Sequence, residues 1–248
     1  MSRILILVPA RYGSSRFPGK PLAKILNKSM IGHMLDHCME TGYDYAVVTD
    51  NDEIEKEIKF LGGNVVRVDD DVISGSERIA LALKRFFIEN EYDYVINVQG
   101  DEPLISAKEI QSLGKFHEEN SRFDICTAVK KRFSLEKDYS NPNVVKAIYS
   151  NKSHQCFYFS RASAPYDRDN EGVDWYQHVG VYSYKTKALL DFVELDPSTL
   201  ELAEKLEQLR AIENGMLIGA RITDVNLIGV DTPEDLVKIE GVLRGKEV

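Results

Sequence analysis

The chain of 248 residues carries 31 Lys+Arg against 40 Asp+Glu, a formal charge of −9, and is 43% hydrophobic. Such a balance excludes a disordered or collagen-like chain, and its acidic sign excludes a general nucleic-acid or anionic-membrane surface. The charge is unevenly spread: Arg3, Arg11, Arg16, Lys20, Lys24 and Lys28 all precede the first acid, Asp36, and the acids crowd the remainder.

In chain order, the apolar run 4–8 predicts a buried strand, too short to span a bilayer. Further strands are expected at 46–49, 65–68 and 94–98, alternating with helices at 30–40, 52–61 and 76–88. In the third helix Ile79, Ala80, Leu83, Phe86 and Phe87 share one face. Alternation of this kind predicts a mostly parallel sheet with helices on both faces. The second half is less regular, with strands expected at 125–129, 144–149, 157–159 and 179–184. Residues 198–214 read as one helix: Ser198 and Glu201 form a capping-box pattern, Leu202, Leu206 and Leu209 a buried stripe, and Gly215 a terminator. A last strand is expected at 227–230, followed by a closing helix. No repeat or low-complexity linker is visible, so residues 1–248 are expected to form a single α/β domain with a mixed-sheet insertion. Cys38, Cys126 and Cys156 are widely spaced with no C-x-x-C pair. That excludes a disulfide scaffold and a cysteine-paired zinc site, and it suits a reducing cytoplasm.

Directly after the first strand comes Pro9-Ala10-Arg11-Tyr12-Gly13-Ser14-Ser15-Arg16-Phe17-Pro18-Gly19-Lys20-Pro21-Leu22. Glycines and small serines leave backbone N–H groups accessible, while Arg11, Arg16 and Lys20 supply charge for a polyphosphate. Open α/β sheets bind ligands beyond the carboxyl ends of their strands, where this loop lies. The Walker A spacing is not met, since five residues separate Gly13 from Gly19 and Pro21 stands where a hydroxyl residue belongs. A solvated basic loop is the alternative. Asp101 and Asp231 also follow apolar strands, and a hard cation takes one or two carboxylates plus phosphate oxygens. Each has a plainer reading: Asp101 shaping the Asp-Glu-Pro turn, Asp231 capping the closing helix.

The run VPARYGSSRFPGKPL resembles the signature of the sugar-activating cytidylyltransferases, nearest to the 3-deoxy-manno-octulosonate (Kdo) cytidylyltransferase family. The resemblance continues at Ser74-Gly75-Ser76-Glu77-Arg78, Asn97-Val98-Gln99-Gly100-Asp101-Glu102-Pro103 and Tyr158-Phe159-Ser160-Arg161. It recurs at His178-Val179-Gly180-Val181-Tyr182, Leu206-Glu207-Gln208-Leu209-Arg210 and Gly229-Val230-Asp231-Thr232-Pro233-Glu234-Asp235. It implies a Rossmann-like nucleotidyltransferase fold with a smaller mixed-sheet region, about 125–185, serving dimerisation and sugar binding. The implied reaction is CTP + Kdo → CMP-Kdo + diphosphate, for lipopolysaccharide biosynthesis, by a Mg²⁺-dependent homodimer that binds no nucleic acid and does not insert into membranes. By resemblance, Ala10, Arg11, Arg16, Lys20, Ser74, Gly75, Arg78, Gln99 and Asp101 bind the nucleotide. Arg161, His178, Tyr182, Glu207 and Gln208 bind the sugar, Asp101 and Asp231 hold the metal, and Lys20 and Arg16 share the catalytic role with them.

Departures from the family pattern collect on the sugar side: Val72 where a His is common, Ser160-Arg161-Ala162-Ser163-Ala164-Pro165 for S-R-x-P-I-P, Leu202 at an often polar position and Ser183 for a frequent Gly. The 8-amino derivative of Kdo, or another 2-keto-3-deoxy sugar acid, is therefore the second substrate expectation. A CTP-binding sensor without catalysis and a P-loop phosphotransferase are the more distant ones.

Overall fold

The computed structural model describes residues 2–13, 17–87, 91–225, 229–230 and 232–245. Its elements, in chain order, are β1 (Ile4–Ala10), β2 (Lys24–Ile25), β3 (Lys28–Ser29), α1 (Met30–Glu40), β4 (Asp44–Thr49), α2 (Asp52–Phe60), β5 (Val65–Arg67), α3 (Gly75–Phe86), β6 (Tyr94–Asn97) and α4 (Ala107–Glu119). There follow β7 (Ile125–Phe133), β8 (Lys146–Ser150), β9 (Gln155–Ser160), β10 (Asp174–Lys185), α5 (Thr186–Val193), α6 (Thr199–Glu204), α7 (Gln208–Glu213), β11 (Ile218–Ile222) and α8 (Pro233–Leu243). The chain divides into two compact units, residues 1–111 with 226–248, and residues 112–225.

In the first unit four strands run in the order β5-β4-β1-β6 with every neighbouring pair parallel, and β2 and β3 form a separate antiparallel ribbon. Leu5 to Val8 are fully buried, as are Val48, Val95 and Ile96. Continuous burial is what a parallel strand covered on both faces requires. The cover comes from Ile31, Met34 and Leu35 of α1, Ile54 and Ile58 of α2, and Ile79 and Leu83 of α3, all buried. Ser29, Asn51 and Ser74 cap α1, α2 and α3 with their side-chain oxygens, satisfying orphan N–H groups at each helix start. A second small core joins Ile25, Met30, Val230 and Ile239, seating α8 against the β2–β3 ribbon.

In the second unit the order is β10-β7-β11-β9-β8, with β10 also pairing β8 through Tyr176↔Ala147 and Gln177↔Lys146. Only β7–β11 is parallel; the remaining pairs are antiparallel. The expectation of a mostly parallel sheet is thereby corrected to a mixed one. The physical reason is connection length: the short turn between β8 and β9 can only return the chain antiparallel.

Three further differences concern elements. Residues 198–214 form two helices, not one, because Lys205 adopts a left-handed conformation (φ 54°) and stops α6. Leu202 accordingly leaves the stripe and lies 54% exposed, while Leu206 and Leu209 stay buried. Helices α4 and α5 and strand β11 were not anticipated. The expected strand at 227–230 falls largely outside the described residues, and Gly229 and Val230 are not strand.

Candidate functional site

Strands β1 and β6 are parallel neighbours, so the segments leaving their carboxyl ends emerge side by side. Gly100 makes that closeness possible: a Cβ there would lie 2.9 Å from the carbonyl oxygen of Pro9. Between these segments and the start of α3 lies a cleft of about 300 Å³, at the lower end of the size range of small-molecule sites. Ala10 and Arg11 line it from the end of β1 and just beyond, Lys20 from the following loop, Ser74 from the N-cap of α3 with Gly75 and Arg78 from its first turn, and Gln99 and Asp101 from the segment after β6. Every described residue of the expected nucleotide set is therefore brought together; Arg16 lies outside the described residues. Pro9, Val72 and Ile73 also line the cleft; Val72, expected among the sugar-side departures, thus stands beside the nucleotide set instead, and Ile73 escaped the sequence reading because an apolar residue at a loop carries no chemical signal.

The loop after β1 is tied at its base, where the Gly19 N–H donates to the Tyr12 carbonyl at 3.0 Å. A short 3-10 turn over Lys20–Leu22 then presents Lys20. Its ammonium donates to Asp101 Oδ2 at 2.7 Å and to the Val230 carbonyl at 2.6 Å. Two hard oxygens thus already surround a cation, and this is the donor type Mg²⁺ takes, usually with phosphate oxygens completing its shell. Among the described residues no cluster of three or more His, Cys, Asp or Glu could hold a metal. A metal here would draw on Asp101 and on ligand oxygens; Asp231, the other expected ligand, lies outside the described residues. Thr232 serves as N-cap of α8, its N–H and hydroxyl both meeting the Asp235 carboxylate at 3.0 and 3.1 Å.

Arg78 is buried, which its unfavourable position in the first turn of α3 did not foretell. It pays for that position with an ion pair to Asp50 at 2.8 Å and a hydrogen bond to the Val68 carbonyl at 2.5 Å. The guanidinium thus locks α3 to the ends of β4 and β5 while flanking the cleft. Asp50 went unrecognised because nothing local in Thr49-Asp50-Asn51 distinguishes the partner of a buried arginine from a turn residue. The Ser74 hydroxyl accepts from the Glu77 N–H, so this side chain is spent on capping. What remains for a ligand is the N-terminal end of α3, a position suited to anions.

The second cluster lies entirely in the second unit. His178 and Tyr182, both on β10, have ring centroids 5.4 Å apart, and Phe159 of β9 meets His178 edge-on at 4.9 Å. Burial pushes His178 down to about 4, so the imidazole is neutral at pH 7. Burial also raises the Tyr182 phenol well above its ordinary value, with smaller contributions from Tyr184 and Glu207. Glu207 and Gln208 stand at the start of α7, and the Gln208 amide nitrogen is buried with no partner among the described residues. Three of the five N–H groups of Arg161 are engaged by backbone. Its Nε donates to the Glu204 carbonyl at 2.7 Å, Nη1 to Pro142 at 2.9 Å and Nη2 to Lys205 at 3.3 Å. Glu204 returns the contact, accepting from the Ser160 hydroxyl and the Arg161 N–H at 2.8 and 2.9 Å. Ser183, one of the departures, meets the buried His117 at 2.8 Å, so it serves packing.

A family model described as cytidylyltransferase matches residues 5–218. A 3-deoxy-manno-octulosonate cytidylyltransferase of Parabacteroides distasonis is 39% identical over 99% of this chain and 100% of its own. An 8-amino-3,8-dideoxy-manno-octulosonate cytidylyltransferase of Shewanella pealeana is 40% identical over 94% and 95%. Among solved structures, a CMP:2-keto-3-deoxy-manno-octonic acid synthetase complexed with CTP superposes with a TM-score of 0.91, at 32% identity over 98% of this chain and 99% of that one. A 4-diphosphocytidyl-2C-methyl-D-erythritol synthase of Anaerococcus prevotii shares the fold at TM-score 0.63 and 14% identity, over 98% and 99%.

Proposed function

The chain belongs to the cytidylyltransferase family, and from that membership we propose that it joins CTP to Kdo, releasing CMP-Kdo and diphosphate. The observation that carries this reading is the cleft at the carboxyl ends of β1 and β6, which gathers eight residues of the expected nucleotide set, Ala10, Arg11, Lys20, Ser74, Gly75, Arg78, Gln99 and Asp101. The α3 N-terminus offers backbone N–H groups to phosphate oxygens, and Arg11, exposed and without an ion pair among the described residues, adds mobile positive charge. Lys20, with Arg16, neutralises charge gathering on the departing diphosphate as the anomeric 2-hydroxyl attacks the α-phosphorus in line.

Asp101 and Asp231 would hold Mg²⁺, which when bound polarises phosphate oxygens and lowers the pKa of a coordinated hydroxyl. Support for that assignment is the donor type: Asp101 Oδ2, now accepting from the Lys20 ammonium, is a hard carboxylate oxygen of the kind Mg²⁺ takes. His178, Tyr182, Glu207 and Gln208 form the sugar side, and Arg161 supports that side by fixing the α6–α7 junction. Residues 1–248 then work as one nucleotidyltransferase domain, as a cytoplasmic homodimer joined through about 125–185. Exposed Phe133, Leu135 and Tyr166 in that region favour an interface, and the three free, buried cysteines suit a reducing compartment. No helix among the described residues is long and apolar enough to cross a membrane.

The 8-amino sugar is the second reading, because relatives bearing each name match at 39% and 40% identity. Diphosphate release with CTP across Kdo, its 8-amino analogue and sialic acid tests both. Turnover with Kdo foremost supports the first reading, and preference for the amino sugar replaces it with the second. CTP binding without diphosphate release on any acid would leave a nucleotide sensor.

A further inference from the structure

Strand β10 carries an irregularity beside its expected sugar ligands. Val179 pairs with Ala128 of β7, yet the next pair is Tyr182 with Thr127, so Gly180 and Val181 bulge out of the ladder. Bulges re-aim side chains and leave backbone groups to be satisfied otherwise. Thr127, fully buried, answers that need: its Oγ1 lies 3.0 Å from the Val179 carbonyl and 2.8 Å from the Val181 carbonyl. The same oxygen lies 3.1 Å from Nε2 of His178.

A hydroxyl has one proton, and a carbonyl can only accept. With two carbonyls in range, the Thr127 proton is committed to the bulge, and the contact to His178 needs its proton from the ring. We infer that Thr127 is a positioning residue that fixes His178 as the Nε2–H tautomer, leaving the Nδ1 lone pair to accept a hydrogen from a hydroxyl of the sugar acid. No described group occupies Nδ1, and Phe159 and Tyr182 restrain the ring from two sides. Desolvation is the cause of the depressed His178 basicity, which keeps the lone pair available at neutral pH. A neutral acceptor of this kind repels a carboxylate, so the acid group of the substrate is recognised elsewhere and His178 reads a hydroxyl-bearing carbon.

This inference rests on the sugar side being where the proposed function puts it, but its first test does not need a substrate. Imidazole ¹⁵N spectra of the labelled protein, with His178→Asn for assignment, are expected to show an Nε2–H tautomer between about pH 6 and 8. Thr127→Val is expected to lose that signature and to raise KM for Kdo about tenfold, with KM for CTP and kcat little changed. Thr127→Ser, which keeps the hydroxyl, restores both. An Nδ1–H tautomer in the unaltered protein overturns the inference even if Kdo is turned over. So does Thr127→Val with unaltered spectra and unaltered KM. If no sugar acid supports diphosphate release, the functional reading fails while the tautomer result still decides the geometry.

Discussion

Lys20 and Asp101 sit far apart in sequence and 2.7 Å apart in space. Replacing Asp101 by Ala is expected to cut diphosphate release at least about 100-fold, with CTP affinity measured by calorimetry in the absence of metal falling far less. Near-normal turnover in that variant would remove the metal assignment. Arg78 makes a different prediction, for stability. It is 6% exposed against 31% for Asp50, so Arg78→Ala strands a half-covered carboxylate and frees a buried carbonyl. The expected loss is about 2–3 kcal/mol, below the range for fully buried pairs, and a thermal melt lowered by several degrees reads it. At this scale the sequence disclosed residue types and their order along the chain, and resemblance supplied roles. It could not disclose pairing: that Arg78 answers to Asp50 and Arg161 to backbone carbonyls depends on where separate strands end.

Elements were legible wherever a hydrophobic period ran between ordinary punctuation. Helix α1 begins and ends as its pattern foretells, with Ser29 as its cap. The break between α6 and α7 was hidden because neither Gly nor Pro marks it. Lys205 is held in its left-handed state by tertiary bonds, its carbonyl and that of Glu204 both accepting from Arg161. Those bonds outweigh the roughly 1–2 kcal/mol that this conformation costs a residue with a Cβ. Lys205→Gly should therefore raise stability by about 0.5–1 kcal/mol, visible in denaturant midpoints; a destabilised variant would mean the lysine side chain itself holds the junction. Strand β11 was hidden by Gly219, which reads as a turn. In the fold it is a close-approach position, since a Cβ there would sit 2.3 Å from the Phe123 ring.

Across the whole molecule, two histidines kept neutral by burial make stability sensitive to acid. His117 and His178 are each held near 4 by burial, against an ordinary 6.5. An unfolded chain takes up those protons near 6.5 and the folded one does not until about 4, so stability is complete above 6.5 and declines as pH falls through that window. Each site contributes up to about 3 kcal/mol at neutral pH. Melting temperature should fall steeply between pH 6.5 and 4, and His117→Gln should flatten the decline; an unchanged slope would show that other groups govern it. The parallel half of the architecture was legible from alternating strands and helices. In the other half the four strands and a mixed sheet were expected, but not which strands pair or that β10 runs on to Lys185 with a bulge, because register is decided by packing across the sheet.

The extension of β10 by Gly180 and Val181 preserves parity. Alternation along a strand has a period of two, so an even insertion returns the chain to the same side, and His178 and Tyr182 remain together. An odd change has no such immunity. Deleting Gly180 alone would swap the two faces of the strand from residue 181 onward, carrying Tyr182 and Tyr184 to the face that Val181 and Ser183 now occupy, and the reverse. For this strand, then, changes in length are governed by a frame of two, much as a coding sequence is governed by a frame of three.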